Sequence, residues 1–146
     1  GYEVTPNQII HGRCVDHEVD AVATKDGKTC IVEVKHHYHH HTRTNLDVSR
    51  ITRAVFEDIT EGYELGLNHT KIDYAMIVCN TKFTEHAERY AECRGIRYIG
   101  WSSPKNNDLQ TMIEKRETYP VTFLKGLNSA NRQKLTQNIK LTCVGL

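Results

Sequence analysis

The sequence predicts an α/β fold of three layers, a mixed central β-sheet flanked by helices, with a short helical segment at the C-terminus. Three observations carry that expectation. Residues 17–37, HEVDAVATKDGKTCIVEVKHH, read as two alternating, β-rich runs around Asp26-Gly27, the strongest short-range hairpin signal. Residues 74–80, YAMIVCN, are an apolar run of the kind found in buried parallel strands. Helical patterns lie between and after these runs, so antiparallel strands come first and βαβ units follow.

In chain order, QIIHGRCV (8–15) is the first strand, and the hairpin strands cover 18–24 and 28–35. A polar, histidine-rich connection spans 36–44. Asn45 starts a helix to about Leu65, with Leu46, Ile51, Ala54, Val55, Ile59 and Tyr63 tracing one face and Gly66 as the stop. After strand 74–80, Thr84 caps a helix that runs to Arg94 and is stopped by Gly95. IRYIGW (96–101) is another strand, and 107–116 a further helix. The last residues read as two short helices and an extended end. The expected organisation is one domain over 1–117 and a small helical accessory segment over 118–146.

A chain of 146 residues is long enough to bury a real core in one domain. Its net charge of +1 excludes a strongly basic, DNA-coating protein, so any nucleic-acid contact has to come from local patches. No apolar run approaches the roughly 20 residues of a membrane span, and no signal peptide is visible. The five cysteines are odd in number and never spaced as CxxC. Three fall in apolar, strand-like runs, as expected of reduced, buried thiols in a cytoplasmic protein. The chain opens at Gly1 with no initiator Met, as a fragment of a longer protein would.

The hairpin also carries the chemistry. With a two-residue loop, Lys25 pairs with Lys28, Asp20 faces Glu33 and Glu18 faces Lys35. Side chains alternate along a strand, so these four charges share one face, while Val19, Ala21, Ala23, Cys30, Val32 and Val34 form the other. Asp20 against Glu33 is a like-charge pair, destabilising without a cation between them. Val22 and Ile31 lie next along that face, so it is not simply solvated. Two carboxylates beside an apolar floor suit a hard divalent ion. The competing reading is a solvated face on which Glu18 and Lys35 make an ordinary ion pair.

The order β-β-β-α-β-α-β, with Asp20 on one hairpin strand and Glu33-Val34-Lys35 on its partner, resembles the PD-(D/E)xK restriction endonuclease-like superfamily. HEVDAVA, IVEVKHH and NTKFTEHAERYAECRGIRYIGW are similar to its Mrr-like branch, which includes type IV, modification-dependent restriction enzymes. The resemblance spans about residues 8–104. It implies a metal-dependent endonuclease, a hydrolase cutting DNA phosphodiester bonds in restriction or repair. Asp20 and Glu33 would hold Mg²⁺, which Mn²⁺ can replace, with the Val34 backbone carbonyl as a third ligand. Lys35 would orient or deprotonate the attacking water. The resemblance further implies a homodimer that presents two sites to DNA, and an ATP-cone-like regulatory domain at the N-terminal side in some relatives. Other readings are a non-cleaving nucleic-acid-binding or sensing module, or a Holliday-junction-type or RNA-directed nuclease.

Around this triplet, Glu18 and His37 are supporting candidates, Glu18 either in the metal shell or paired with Lys35. Arg43, Arg50 and Arg53 are candidate DNA contacts, because helix starts and arginines both favour phosphates, and Lys82 is another, because it follows the apolar strand at the end where loops of this fold approach substrate. Ser49 shares a helix face with Arg53. Tyr38 and Trp101 are candidates to stack on a flipped base. The tract His36, His37, Tyr38, His39, His40, His41 lacks the spaced pairs of zinc ligands and reads as a polar loop near substrate. LKGL with Ser129 as a helix cap gives the tail a faint helix-hairpin-helix character.

Overall fold

A computed structural model of the chain describes residues 1–118. A five-stranded sheet runs in the order β1-β2-β3-β4-β5, with β1 (Glu3–His11), β2 (Asp16–Lys25), β3 (Lys28–Lys35), β4 (Tyr74–Cys79) and β5 (Arg97–Ile99). β1, β2 and β3 form an antiparallel meander, and β3, β4 and β5 are mutually parallel. α1 (Leu46–Glu64) connects β3 to β4 and α2 (Glu85–Cys93) connects β4 to β5; α3 (Leu109–Arg116) follows. Fold class and element order therefore match the expectation of a mixed sheet flanked by helices. The predicted accessory segment lies outside the described residues, apart from its first residue.

The larger core cluster joins α1 and α2 to one sheet face, through Ile59, Ala87 and Ala91 against Ile31, Ala75, Ile77 and Cys79. A smaller cluster of Ala23, Cys30 and Met76, with Val32, Val78 and Ile99 against it, occupies the opposite face. α1 differs from the expected stripe. Ser49, Thr52, Ile59 and Gly62 are buried, with Val48, Val55 and Phe56 partly so, whereas Ile51 is 61% exposed and Tyr63 faces solvent. Small side chains let the helix approach α2 closely, and the Ser49 hydroxyl donates to the Ala87 carbonyl at 3.3 Å.

β1 also starts earlier than expected and ends sooner. Pro6 sits in an edge strand, where its missing N–H costs little. Gly12 to Val15 form a turn closed by a Gly12 N–H to Val15 carbonyl bond. That turn leaves Cys14 exposed, contrary to the expectation for an apolar strand, while Cys30 and Cys79 are buried thiols as expected. The Asp58 carboxylate secures the turn by accepting from the Cys14 and Val15 amides and from His17 Nε2 at 2.7 Å. His17 chiefly holds the Asp58 carboxyl down at about 2.

Candidate active site

The hairpin turn sets the register of the site. Asp26 and Gly27 both have positive φ, 52° and 73°, the type I′ signature that matches the twist of the flanking strands. Lys25–Lys28, Thr24–Thr29, Ala23–Cys30, Val22–Ile31 and Ala21–Val32 pair as the two-residue loop predicts. In such a hairpin every second pair is hydrogen-bonded, so Val19–Val34 would come next. The ladder stops one step short of Asp20–Glu33 instead, and the Val34 N–H donates to the Asp20 carboxylate at 2.7 Å.

The opening goes with a bend. Asn7 lies across β1–β2 from Asp20, between the pairs Pro6–Ala21 and Gln8–Val19, and has φ 51°. Val19 and Val22 both pack on the α1 side, while Ala23 packs on the opposite face. Strict alternation through Val19, Ala21 and Ala23 therefore fails, because the chain turns over at Asp20.

Glu33 and Lys35 continue the face of Ile31, and their side chains meet, Lys35 Nζ to Glu33 Oε1 at 2.6 Å. The pair is partly shielded, with the two side chains 41% and 28% exposed. The expected Glu18–Lys35 pair is not formed: Glu18 is exposed and lies opposite Ile9 of β1. A residue two positions along the same strand is a nearer partner than one across a ladder that has opened. The Asp20 carboxylate thus abuts the backbone between Glu33 and Lys35. Two carboxylates and the Val34 carbonyl are hard oxygen donors of the kind that suit a divalent cation. Among the described residues, no group of three or more His, Cys, Asp or Glu side chains gathers to hold a metal, at this site or elsewhere.

The other candidates separate. His37 is tied down: its N–H donates to the Asn80 side-chain carbonyl at 2.8 Å, the Asn80 amide donates back to the His37 carbonyl at 2.8 Å, and His37 Nε2 meets the Thr44 hydroxyl at 3.0 Å. Asn80, which holds His37 through both ends of its amide, stood in the sequence only as the last letter of an apolar strand. Arg43 is exposed and makes no ion pair among the described residues. Arg50 reaches Asp47 at 3.6 Å, while Arg53 is engaged by Glu57 at 2.7 Å and the Arg94 carbonyl at 3.3 Å. Lys82 is exposed beyond the end of β4, and its carbonyl accepts from the Thr44 amide. Tyr38 is 89% exposed, whereas Trp101 is half-buried. No helix among the described residues is long and apolar enough to cross a membrane.

Residues 1–100 match the family model described as Mrr_cat, restriction endonuclease. An uncharacterized protein of Archaeoglobus fulgidus is 35% identical over 125 residues, 86% of this chain and 67% of the relative. The crystal structure of a protein of unknown function superposes with a TM-score of 0.73 at 32% identity, covering 94% of this chain and 69% of that one. The chain belongs to the Mrr catalytic family of restriction endonuclease-like nucleases.

Proposed function

We propose that the protein is a Mg²⁺-dependent endodeoxyribonuclease in which Asp20 and Glu33, with the Val34 carbonyl, hold the ion and Lys35 acts on the attacking water. One observation carries the reading: at the opened end of the hairpin, the Asp20 carboxylate contacts the Val34 amide between Glu33 and Lys35, which are themselves ion-paired. When bound, Mg²⁺ or Mn²⁺ supplies Lewis acidity at the scissile phosphate. Lys35 gives up its contact with Glu33 and donates to the water and to the charge that builds on the phosphate oxygens. His37, held by Asn80 and Thr44, keeps the chain beyond Lys35 in place. Lys82 and Arg43 are the exposed cations offered to the DNA backbone, a role for which the already engaged Arg53 is less suited. Glu18 stands at the margin. A homodimer would set two such sites against the two strands of a duplex. The setting is cytoplasmic.

Incubating supercoiled plasmid, modified and unmodified, with and without Mg²⁺ tests this. Metal-dependent nicking, lost in Lys35→Ala, is expected. Plasmid left intact in both Mg²⁺ and Mn²⁺ yet retarded on a gel would favour a non-cleaving binding module. Four-way junctions and RNA in the same assay separate substrate shape from chemistry, and sedimentation at micromolar concentration tests the dimer.

A further inference from the structure

A cavity of about 430 Å³ opens at the C-terminal ends of the parallel strands, lined by His40, His41, Asn80, Thr81, Lys82 and Trp101. Ligands of open α/β sheets bind outside this end of the strands. The cavity adjoins the triplet: Lys35 pairs with Cys79, and the Asn80 N–H reaches the Lys35 carbonyl at 3.4 Å.

Its wall is built rather than incidental. Trp101 is the single tryptophan of the chain, and its backbone N–H donates to the Thr81 carbonyl at 2.9 Å. Gly100 makes that approach possible, since a Cβ there would lie 2.9 Å from both the Phe83 ring and the Thr81 carbonyl. The His40 and His41 rings sit 4.0 Å apart between centroids, adding a second aromatic element. Lys82 has no carboxylate partner among the described residues. Thr81 is 2% exposed, and its hydroxyl has no hydrogen-bond partner among the described residues. The Asn80 amide is not free to read a ligand, because His37 occupies both of its ends.

An indole and a cation, without a free amide, match a flat heterocycle carried on a phosphate backbone. We propose that this cavity receives one unstacked nucleobase of the strand being cut, held by stacking and charge rather than by a base-specific pattern. The proposal rests on the nuclease reading and deepens it. A base inside a duplex has both faces covered and cannot enter, so the preferred substrate carries an unpaired base beside the scissile phosphate. Stacking of this kind tolerates any base.

Trp101 is its own reporter. The whole chain in EDTA is titrated with a paired duplex, the same duplex with one unpaired base, and the same bulge with an abasic residue. Quenching of Trp emission by the unpaired base, and not by the paired or abasic duplex, is expected. Trp101→Ala should weaken binding of the bulged duplex about tenfold or more by anisotropy, within the span of one base stack, and Trp101→Phe should restore most of it. Circular dichroism checks that both variants fold. Equal quenching by abasic and base-bearing bulges, or Trp101→Ala binding every duplex as the parent does, overturns the pocket. The two readings fail separately: base-dependent quenching without cleavage in Mg²⁺ sinks the nuclease and keeps the pocket, and cleavage without base-dependent quenching does the reverse.

Discussion

Removing the Asp20 carboxylate should destabilise the metal-free protein, although like-charge repulsion alone would argue the opposite. Two structural facts decide the sign. Glu33 is already neutralised by Lys35 at 2.6 Å, so little repulsion remains to be relieved. The Val34 N–H depends on Asp20 for its bond at 2.7 Å, the ladder pair having been given up there. A hydrogen bond to a charged group contributes about 1.5–3 kcal/mol. Asp20 is exposed, so water competes for the amide and about 1 kcal/mol is the appropriate figure. With a urea slope of roughly 2 kcal/mol per molar for a chain of this size, Asp20→Ala should lower the unfolding midpoint by about 0.5 M. Asp20→Asn keeps a carbonyl acceptor and should shift the midpoint much less, while losing metal binding as fully as Asp20→Ala. Urea unfolding in EDTA, followed by far-UV circular dichroism, reads the stability, and calorimetric titration with Mg²⁺ reads the ion. If Asp20→Ala were more stable than the parent in EDTA, repulsion would outweigh the Val34 bond and the account of the opened ladder would be wrong.

Three further outcomes are expected. Lys35→Ala should cut the rate on the order of 10²–10³-fold while leaving metal and DNA affinity near parental, because a contact made in the transition state costs rate and not ground-state binding; single-turnover nicking beside a Mg²⁺ titration separates the two, and near-parental cleavage would remove Lys35 from the mechanism. Gly62→Ala should lower Tm by a few degrees: a Cβ there meets the Gly12 carbon at 2.8 Å, the His11 carbonyl at 2.9 Å and the Arg13 nitrogen at 3.0 Å, all backbone, so overpacking of about 1–3 kcal/mol exceeds the roughly 1 kcal/mol gained in helix propensity. Scanning calorimetry checks it, and a rise in Tm would show that α1 has room to move. Asp58 gives a pH signature: its folded value of about 2 lies below the ordinary 3.8, so its contribution is fully present above pH 3.8 and is lost as pH falls through 2. His17→Ala should let the carboxyl rise and bring acid unfolding to higher pH, which a carboxyl-carbon NMR titration of both proteins would register.

What could be read from the sequence was what local chemistry fixes. Asp26-Gly27 dictates the turn and hence five pairs of the register, and Thr84 caps α2 by accepting from the Ala87 amide, as its residue type predicts. What could not be read was settled by contacts distant in sequence. The α1 face was misplaced because hydrophobicity ranks Ile51 and Tyr63 above Ser49, Thr52 and Gly62, whereas close approach to α2 and to the Gly12 turn selects the small residues. The Asp58–His17 clamp joins residues 41 positions apart and leaves no local signal. At the site, register assumed an unbroken ladder, so it paired Lys35 with Glu18 and missed the Asp20–Val34 bond.

That broken ladder is itself informative. A sheet rarely surrenders a backbone pair without replacement, since unpaired amides are costly when shielded. Here the replacement is a side chain with the wrong role for a purely structural strand: a carboxylate, on a strand whose neighbour β1 carries the non-glycine Asn7 at positive φ directly across from it. A regular hairpin would have kept Val19 against Val34 and left Asp20 alternating outward, away from the β3 backbone. The bend instead lets Val19 fill the core beside Ile10 and Ile59 and brings the carboxylate to the amide between Glu33 and Lys35. Core packing therefore supports a charge arrangement that the core does not need. Local irregularity of this kind, maintained by packing on the opposite side, is the expected mark of a functional site rather than of a stabilising one.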